Sequence, residues 1–173
     1  EEDAAFLAAQ AGQVDVAYTS ATYSDQAIDG YTLAAYPIVD NRGLNLPAVP
    51  AGTDASGRQV GNDFTADVRV RRAINIGVDR QEMIDHVLNG YGSPAYSVCD
   101  GLPWYNPASQ VEYDPEGAAA LLEEAGWLLG KDGCRYKDGI RAQLDLLYTT
   151  GDSVRQALCA DFANQMEELG IAC

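Results

Sequence analysis

Residues 67–95 read DVRVRRAINIGVDRQEMIDHVLNGYGSPA, a stretch that predicts two amphipathic helices separated by a break. In its first half, apolar residues recur at helical spacing while the arginines fall largely on the other side, so a helix from about Val68 is expected to pack on a sheet. Asp79 precedes Glu82 at the spacing of a capping box, and a second apolar stripe runs from Met83 to Leu88. The sequence therefore predicts a second helix that begins near Asp79.

Motifs along almost the whole chain occur in a fixed order. Asn45 lies in a strand-like segment, and D-V-R-V-R-R-A-I-N, D-R and G-Y-G-x-P-A follow at residues 67–75, 79–80 and 90–95. Three other segments agree with the same pattern: AAQAGQVDVAY (8–18), YDPEGAAALLEEAGW (113–127) and ALCADFANQMEELGI (157–171). This order resembles the peptide, dipeptide and nickel class (family 5) of extracytoplasmic solute-binding proteins, which serve ATP-driven importers.

The resemblance implies an α/β fold, a lobe like those of type II periplasmic-binding proteins with a mixed sheet and flanking helices. Members resemble two-lobed clamps much longer than this chain, so it is expected to be an internal fragment. Residues 1–47 would supply the tail of the first lobe and a hinge strand, with the hinge at 44–47. Residues 48–64, rich in Gly, Asp, Ser and Thr, would form a surface loop. Residues 65–173 would form the second, C-terminal lobe, truncated at its C-terminal end.

Other elements are predicted from local patterns. Apolar and alternating segments predict strands at residues 14–18, 31–35, 43–46 and 143–148. Helices are expected at residues 4–11, from Asp114 with Pro115 at the first helical position, and from Asp152 or Ser153 onward. Alternating strands and helices favour an α/β lobe.

Charge excludes one class of partner. Asp and Glu number 26 against 11 Lys and Arg, and the net charge of −15 would repel nucleic-acid phosphates. No apolar stretch approaches the roughly 20 residues that span a bilayer. The acidic residues are interpreted as part of a solvent-exposed surface rather than as a cation-binding site.

The cysteine pattern bears on the compartment. The four cysteines include no C-x-x-C pair, and His86 is the only histidine, so a zinc site is disfavoured and no metal is expected. The resemblance implies a protein outside the cytoplasm, either a cell-surface lipoprotein or a periplasmic one, where disulfides form. Four cysteines allow three pairings, of which Cys99–Cys134 and Cys159–Cys173 are favoured. The alternatives are buried thiols or an unpaired Cys173.

Ligand-binding candidates come first from strand ends. Tyr18, Thr19 and Ser20 follow the predicted strand at 14–18, where open α/β sheets present ligand groups. Asn45 lies on the predicted crossing strand. These four residues are expected to line a cleft.

Aromatic residues of a proline-rich loop are further candidates. Trp104 and Tyr105 offer apolar faces with a polar group, which suits ligands of varied chemistry. The alternative is that both residues simply cover the core beneath the loop.

Catalytic residues are not expected. Glu123 and Glu124 are helical neighbours, and no nucleophile and base or phosphate-cradling loop is visible. The arginines at 69, 71, 72 and 80 could bind an anion, but the polar side of a helix usually meets water or acids. The Asp79-Arg80 pair follows the family pattern, and Arg80 is expected to form a structural ion pair that fixes the helix junction rather than to contact a ligand. His86 is expected to be exposed.

The resemblance therefore predicts the substrate-binding component of an ABC importer. It would capture an oligopeptide or similar small solute, without cofactor or bond chemistry, and deliver it to a membrane permease as a monomer. Two alternatives stay open, a solute-sensing domain of a regulator and an enzyme.

Overall fold

The structure is a computed structural model that describes residues 2–36 and 38–173. Five α-helices occur in the described residues: α1 (Glu2–Gln10), α2 (Val68–Ile76), α3 (Arg80–Leu88), α4 (Pro115–Glu124) and α5 (Ser153–Glu168). Short 3-10 helices occupy Ala21–Tyr23 and Pro107–Ser109. In this part of the chain, no helix is long and apolar enough to cross a membrane.

Aspartates cap four of the helices. The carboxylates of Asp67, Asp79, Asp114 and Asp152 each accept a hydrogen bond from a backbone N–H in the first turn that follows. Such a cap satisfies an N–H group that has no partner within the helix. The predicted break at Asp79 and the predicted helix starts at Asp114 and Asp152 are confirmed.

The described residues form two small antiparallel sheets. Strands β1 (Gly52–Thr53) and β2 (Gln59–Val60) make a hairpin, with Gly52 opposite Val60. Strands β3 (Leu128–Leu129), β4 (Arg135–Lys137) and β5 (Ile140–Arg141) make a meander in that order. The hairpin lies in the segment predicted to be an irregular loop, and no strand was predicted in the meander.

The main core lies between α2, α4, α5 and the meander. Its buried residues run from Phe64 to Ile171, and the predicted apolar face of α2 faces it, with Val70 and Ala73 fully buried. A Cβ added to Gly77 would lie 2.5 Å from Leu169 Cδ1 and 2.9 Å from the carbonyl oxygen of Ala73. A glycine is therefore needed where the end of α2 meets the turn after α5.

The predicted strands at 14–18, 31–35 and 43–46 are not formed, and the hinge segment 44–47 is not a strand. Val16 and Tyr36 are 86% and 81% exposed. A strand needs a neighbouring backbone for its hydrogen bonds, and none of the described residues pairs with these segments. The apolar residues of these three segments therefore do not form strands, because the segments have no partner backbone in the described part of the chain.

The predicted strand at 143–148 is reduced to one parallel bridge between Gln143 and Ala172. Leu144 N–H donates to the Ala172 carbonyl at 2.9 Å, and Ala172 N–H donates to the Ala142 carbonyl at 3.0 Å. This bridge adds a parallel contact to the antiparallel meander. The division of the chain at 47/48 and 64/65 stays a prediction. Among the described hydrophobic residues before Phe64, only Leu46 packs on the main core.

Candidate solute-binding site

Arg80 fastens the loop that follows α3 to the junction between α2 and α3. Its guanidinium donates to the backbone carbonyls of Asn75 (3.0 Å) and Ala95 (3.1 Å) and lies over the Tyr96 ring, 5.1 Å from its centroid. Burial lowers the pKa of Arg80. Arg80 forms no ion pair among the described residues, so the predicted ion pair at the junction is wrong. Arg80 holds the junction through carbonyl oxygens instead.

Two other arginines are also held by the protein. Arg69 pairs with Asp67 at 2.6 Å and donates to the Glu124 carbonyl at 2.9 Å. Its hydrogen bond holds the pKa of Asp67 at about 2. Arg71 donates to the Thr65 carbonyl at 2.7 Å. These contacts favour the structural interpretation of the arginine cluster over an anion site.

A buried glutamine joins α5 to the start of α3. Gln165 Oε1 accepts the Asp79 N–H at 2.9 Å, and Gln165 Nε2 donates to the Asp79 carbonyl at 3.2 Å. In a complete capping box Glu82 would take the Asp79 N–H, but Gln165 takes it here. This contact could have been suspected from the sequence, because Gln165 is a polar residue among the apolar residues Phe162, Met166 and Leu169.

His86 links the same two helices at the surface. Its side chain is 57% exposed, in agreement with the prediction, but Nδ1 lies 3.2 Å from Asp161 Oδ1 on α5. The hydrogen bond to Asp161 raises the pKa of His86, and the charges of Glu82 and Asp85 act in the same direction. Gln165 also donates to Asp161, at 3.2 Å. The two helices are thus joined by a continuous polar network.

The first group of predicted ligand residues lies beside a 3-10 helix and does not follow a strand. Tyr18 is 76% exposed, and Thr19 is half-buried. Ser20 is buried, and its hydroxyl caps the 3-10 helix by accepting the Thr22 N–H at 3.2 Å. Tyr18 is therefore free to meet a ligand, whereas Ser20 is already bonded within its own turn.

The second group consists of Asn45, Trp104 and Tyr105, none of which is buried. Asn45 is exposed, Trp104 is 69% exposed, and Tyr105 is half-buried in a turn closed on Leu102. Trp104 therefore does not cover the core. Across residues 2–36 and 38–173, no recorded hydrogen bond joins the six candidates to one another, and their role in binding stays a prediction.

Within the second group, one contact joins the segment that precedes Asn45 to the loop that precedes Trp104. Asn41 Nδ2 donates to the Val98 carbonyl at 3.4 Å. Asn41 precedes Asn45 in the crossing segment, and Val98 precedes Trp104 in the proline-rich loop. The two regions are therefore neighbours in the fold.

Two shallow grooves lie elsewhere, beside the start of α4. Tyr113, Pro115 and Glu116 line both, and Gly77 and Gln165 line the second. Burial and the negative charges of nearby carboxylates raise the pKa of Tyr113. None of the six predicted ligand residues lines either groove, and no residue that lines a groove was predicted to bind a ligand.

All four cysteines are free thiols, so the predicted disulfides Cys99–Cys134 and Cys159–Cys173 are not formed. Cys134 lies at the end of the turn between β3 and β4, where its Sγ accepts a hydrogen bond from Arg141 at 2.8 Å. Cys159 lies within α5, and burial raises the pKa of its thiol. The described residues contain no group of three metal-ligating side chains.

Comparison with protein families decides the identity. The model of the bacterial extracellular solute-binding proteins, family 5 Middle, matches residues 1–173. The chain belongs to this solute-binding family. Family 5 membership agrees with the order of motifs in the sequence.

Relatives from three bacteria are similar to this family 5 chain. Protein XP55 of Streptomyces lividans is 42% identical over 110 residues, which are 62% of this chain and 20% of that protein. The oligopeptide-binding protein AppA of Bacillus subtilis is 31% identical over 115 residues, 64% of this chain and 21% of that protein. The nickel-binding periplasmic protein of Escherichia coli is 32% identical over 110 residues, 61% and 21% of the two chains.

The fold agrees with a solved structure of the family. The structure of AppA from Bacillus subtilis in complex with a nonapeptide matches with a TM-score of 0.68 and 25% identity, over 99% of this chain and 33% of that chain. This match confirms the predicted type II periplasmic-binding-protein-like α/β fold. The chain spans about a fifth of the length of the curated relatives it matches.

Proposed function

We propose that this chain forms part of the substrate-binding component of an ABC importer, which captures a peptide or similar small solute and delivers it to a membrane permease. The observation that carries the proposal is the family match over all of residues 1–173. A relative named as an oligopeptide-binding protein and a structural neighbour with a bound nonapeptide support peptide as the solute.

The mechanism is binding and release without bond chemistry. A solute that contacts both lobes of a clamp stabilises the closed state, because it binds that state more tightly than the open one. Within this chain the crossing segment near Asn45 and the loop near Trp104 supply the two sides. The hydrogen bond from Asn41 to the Val98 carbonyl supports their proximity.

The contacts to the solute come from residues with polar groups and apolar faces. Tyr18 and Trp104, both largely exposed, provide stacking surfaces. Thr19, Ser20, Asn45 and Tyr105 complete the proposed set. The protein acts outside the cytoplasm, as a cell-surface lipoprotein or in the periplasm, and works as a monomer without a cofactor.

Tryptophan fluorescence and thermal unfolding test this proposal. Trp104 is 69% exposed and Trp127 is 2% exposed, so a ligand that covers Trp104 shifts the emission to shorter wavelength. We would titrate the chain and the complete product of its gene with short peptides of mixed sequence, a nickel chelate and haem. A ligand at about 100 times its Kd stabilises the protein by about 2.7 kcal/mol and raises Tm.

A Trp104→Phe variant is the matched control. We expect peptide to raise Tm in both proteins but to shift the emission only where Trp104 is present. A response to the nickel chelate alone would replace peptide by a metal complex as the solute. No response of the complete gene product to any of the three ligands would contradict the proposed function.

A further inference from the structure

Helix α1 and the 3-10 helix form a small unit at the start of the chain, here called the N-terminal unit (residues 2–24). The rings of Phe6 and Tyr23 stack with centroids 4.2 Å apart and an interplanar angle of 8°. A hydrogen bond to the Asp3 carboxylate raises the pKa of Tyr23. The two helices therefore hold each other in place.

The unit is tied to the second lobe by polar side chains. Asn89 Nδ2, at the end of α3, faces three acceptors: the carbonyls of Ala21 (3.4 Å) and Thr22 (3.2 Å) and Ser24 Oγ (3.4 Å). A second tie joins Ser153 Oγ at the start of α5 to Asp3 Oδ1 at 3.1 Å. The first tie depends on a single amide group.

The backbone of Asn89 fixes where that amide points. Asn89 is the C-cap of α3 and has the left-handed conformation, with φ of 51°. Asparagine tolerates this conformation better than most residues with a Cβ. The backbone conformation at the end of α3 therefore directs the side-chain amide of Asn89 toward the N-terminal unit.

These ties are easily exchanged with water. The hydrogen bonds of Asn89 and Ser153 are exposed, so water can replace each partner when the contact opens. Phe6 and Ala9, the buried apolar residues of the unit, are not part of the main core. Ile84 and Val87 of α3 are likewise buried outside the main core, so opening of this contact leaves the packing of α2, α4 and α5 intact.

We propose that Asn89 is a releasable clasp that holds the N-terminal unit of the first lobe against α3 of the second. The assignment to two lobes rests on the proposed function. The clasp favours the arrangement in which the lobes are close, and it opens by exchanging its three acceptors for water. It requires no solute, so its test is independent of the test of solute binding.

Amide hydrogen exchange of the 173-residue chain, followed by mass spectrometry, tests the clasp. Asn89→Gly removes the amide and keeps the left-handed conformation, which glycine adopts freely. Asn89→Asp keeps the shape but places a carboxylate against oxygen acceptors. We expect exchange of residues 20–26 to rise about fivefold in Asn89→Gly, as for the loss of one net hydrogen bond, and at least as much in Asn89→Asp.

Asn164→Asp controls for the added charge, because Asn164 is exposed on α5 and has no recorded side-chain hydrogen bond in the described residues. The clasp is supported if exchange of α2 and α4 stays as in the parent while residues 20–26 speed up. Unchanged exchange of residues 20–26 in both Asn89 variants would overturn it. Equal acceleration in Asn164→Asp, or acceleration spread over α2 and α4, would also overturn it.

Discussion

Thr65 is a fully buried residue whose hydroxyl oxygen has no hydrogen-bond partner among the described residues. Both of its backbone polar groups are hydrogen-bonded: the N–H donates to Asn62 Oδ1 at 3.0 Å, and the carbonyl accepts from Arg71 at 2.7 Å. A buried polar atom without a partner keeps the cost of losing its water. The side chain, unlike the backbone, therefore works against folding.

Replacing the hydroxyl by a methyl group is expected to stabilise the protein. Thr65→Val keeps the branched shape and removes the unpaired oxygen, so we expect the free energy of unfolding to rise by about 1 kcal/mol. Urea denaturation of the two proteins measures this difference. Thr65→Ala is the control, because it also removes the hydroxyl but leaves a cavity and should destabilise the core. A less stable Thr65→Val variant would show that the hydroxyl is bonded in solution.

The contact between α3 and α5 depends on residues from both helices. Gln165 bonds the backbone of Asp79 inside the protein, and His86 bonds Asp161 at its surface. Glu82, Asp85 and Asp161 are the acids whose charges act on the imidazole. A protonated His86 meets negative charge from its own helix and from α5, so the contact is stronger when the imidazole is charged.

This geometry predicts that stability depends on the pH through His86. The pKa of His86 is raised in the folded state, so its contribution is fully present below the unfolded pKa of roughly 6.5 and is lost as the pH rises through the folded value. Thermal unfolding of the parent and of His86→Gln would be compared at about pH 5.5 and about pH 8.5. We expect Tm of the variant to fall below that of the parent mainly at the lower pH.

Asp85→Asn separates this contact from general charge effects. Asp85 accepts a hydrogen bond from Gln81 on its own helix at 2.9 Å and, in the described residues, forms no hydrogen bond or salt bridge to α5. The Asp85 variant should keep most of the pH dependence. A Tm difference between the parent and His86→Gln that is the same at both pH values would refute the role of the imidazole charge.

The molecule as a whole has two regions of different order. From Phe64 onward, four helices and the meander enclose the main core. Residues 32–48, with the exception of residue 37, which lies outside the described part, make no recorded backbone hydrogen bond. Leu33 and Val39 in this segment are 58% and 65% exposed. Packing therefore protects the region from Phe64 onward far more than residues 32–48.

Hydrogen exchange of the unmodified chain should reveal this division. Amides of α2 and α4 have helical hydrogen bonds next to the core and should exchange only when the whole domain unfolds. Within the described chain, amides of residues 32–36 and 38–48 have no backbone hydrogen bond and should exchange at rates close to those of an unfolded chain. Strong protection of residues 31–35 and 43–46 would instead show that the strands predicted there form in solution.

Local features were predictable because their causes lie within a few residues. The caps Asp79 and Asp114 and the apolar face of α2 follow from hydrogen bonds and spacing inside single turns. The Gln165 contact was missed because its partner Asp79 lies 86 positions away in the sequence. The same limit applies to the predicted ligand residues, whose convergence depends on how distant segments meet.

By itself, the sequence determined the family, the α/β class and the starts of α2 to α5, because ordered motifs, aspartate caps and apolar periodicity are properties of neighbouring residues. Only the tertiary structure decided which apolar segments became strands, because a strand exists through a partner backbone that the segment does not contain. It also decided that Arg80 bonds carbonyl groups and that Cys134 meets Arg141 rather than Cys99. In each case the deciding partner lies outside the motif that suggested the prediction.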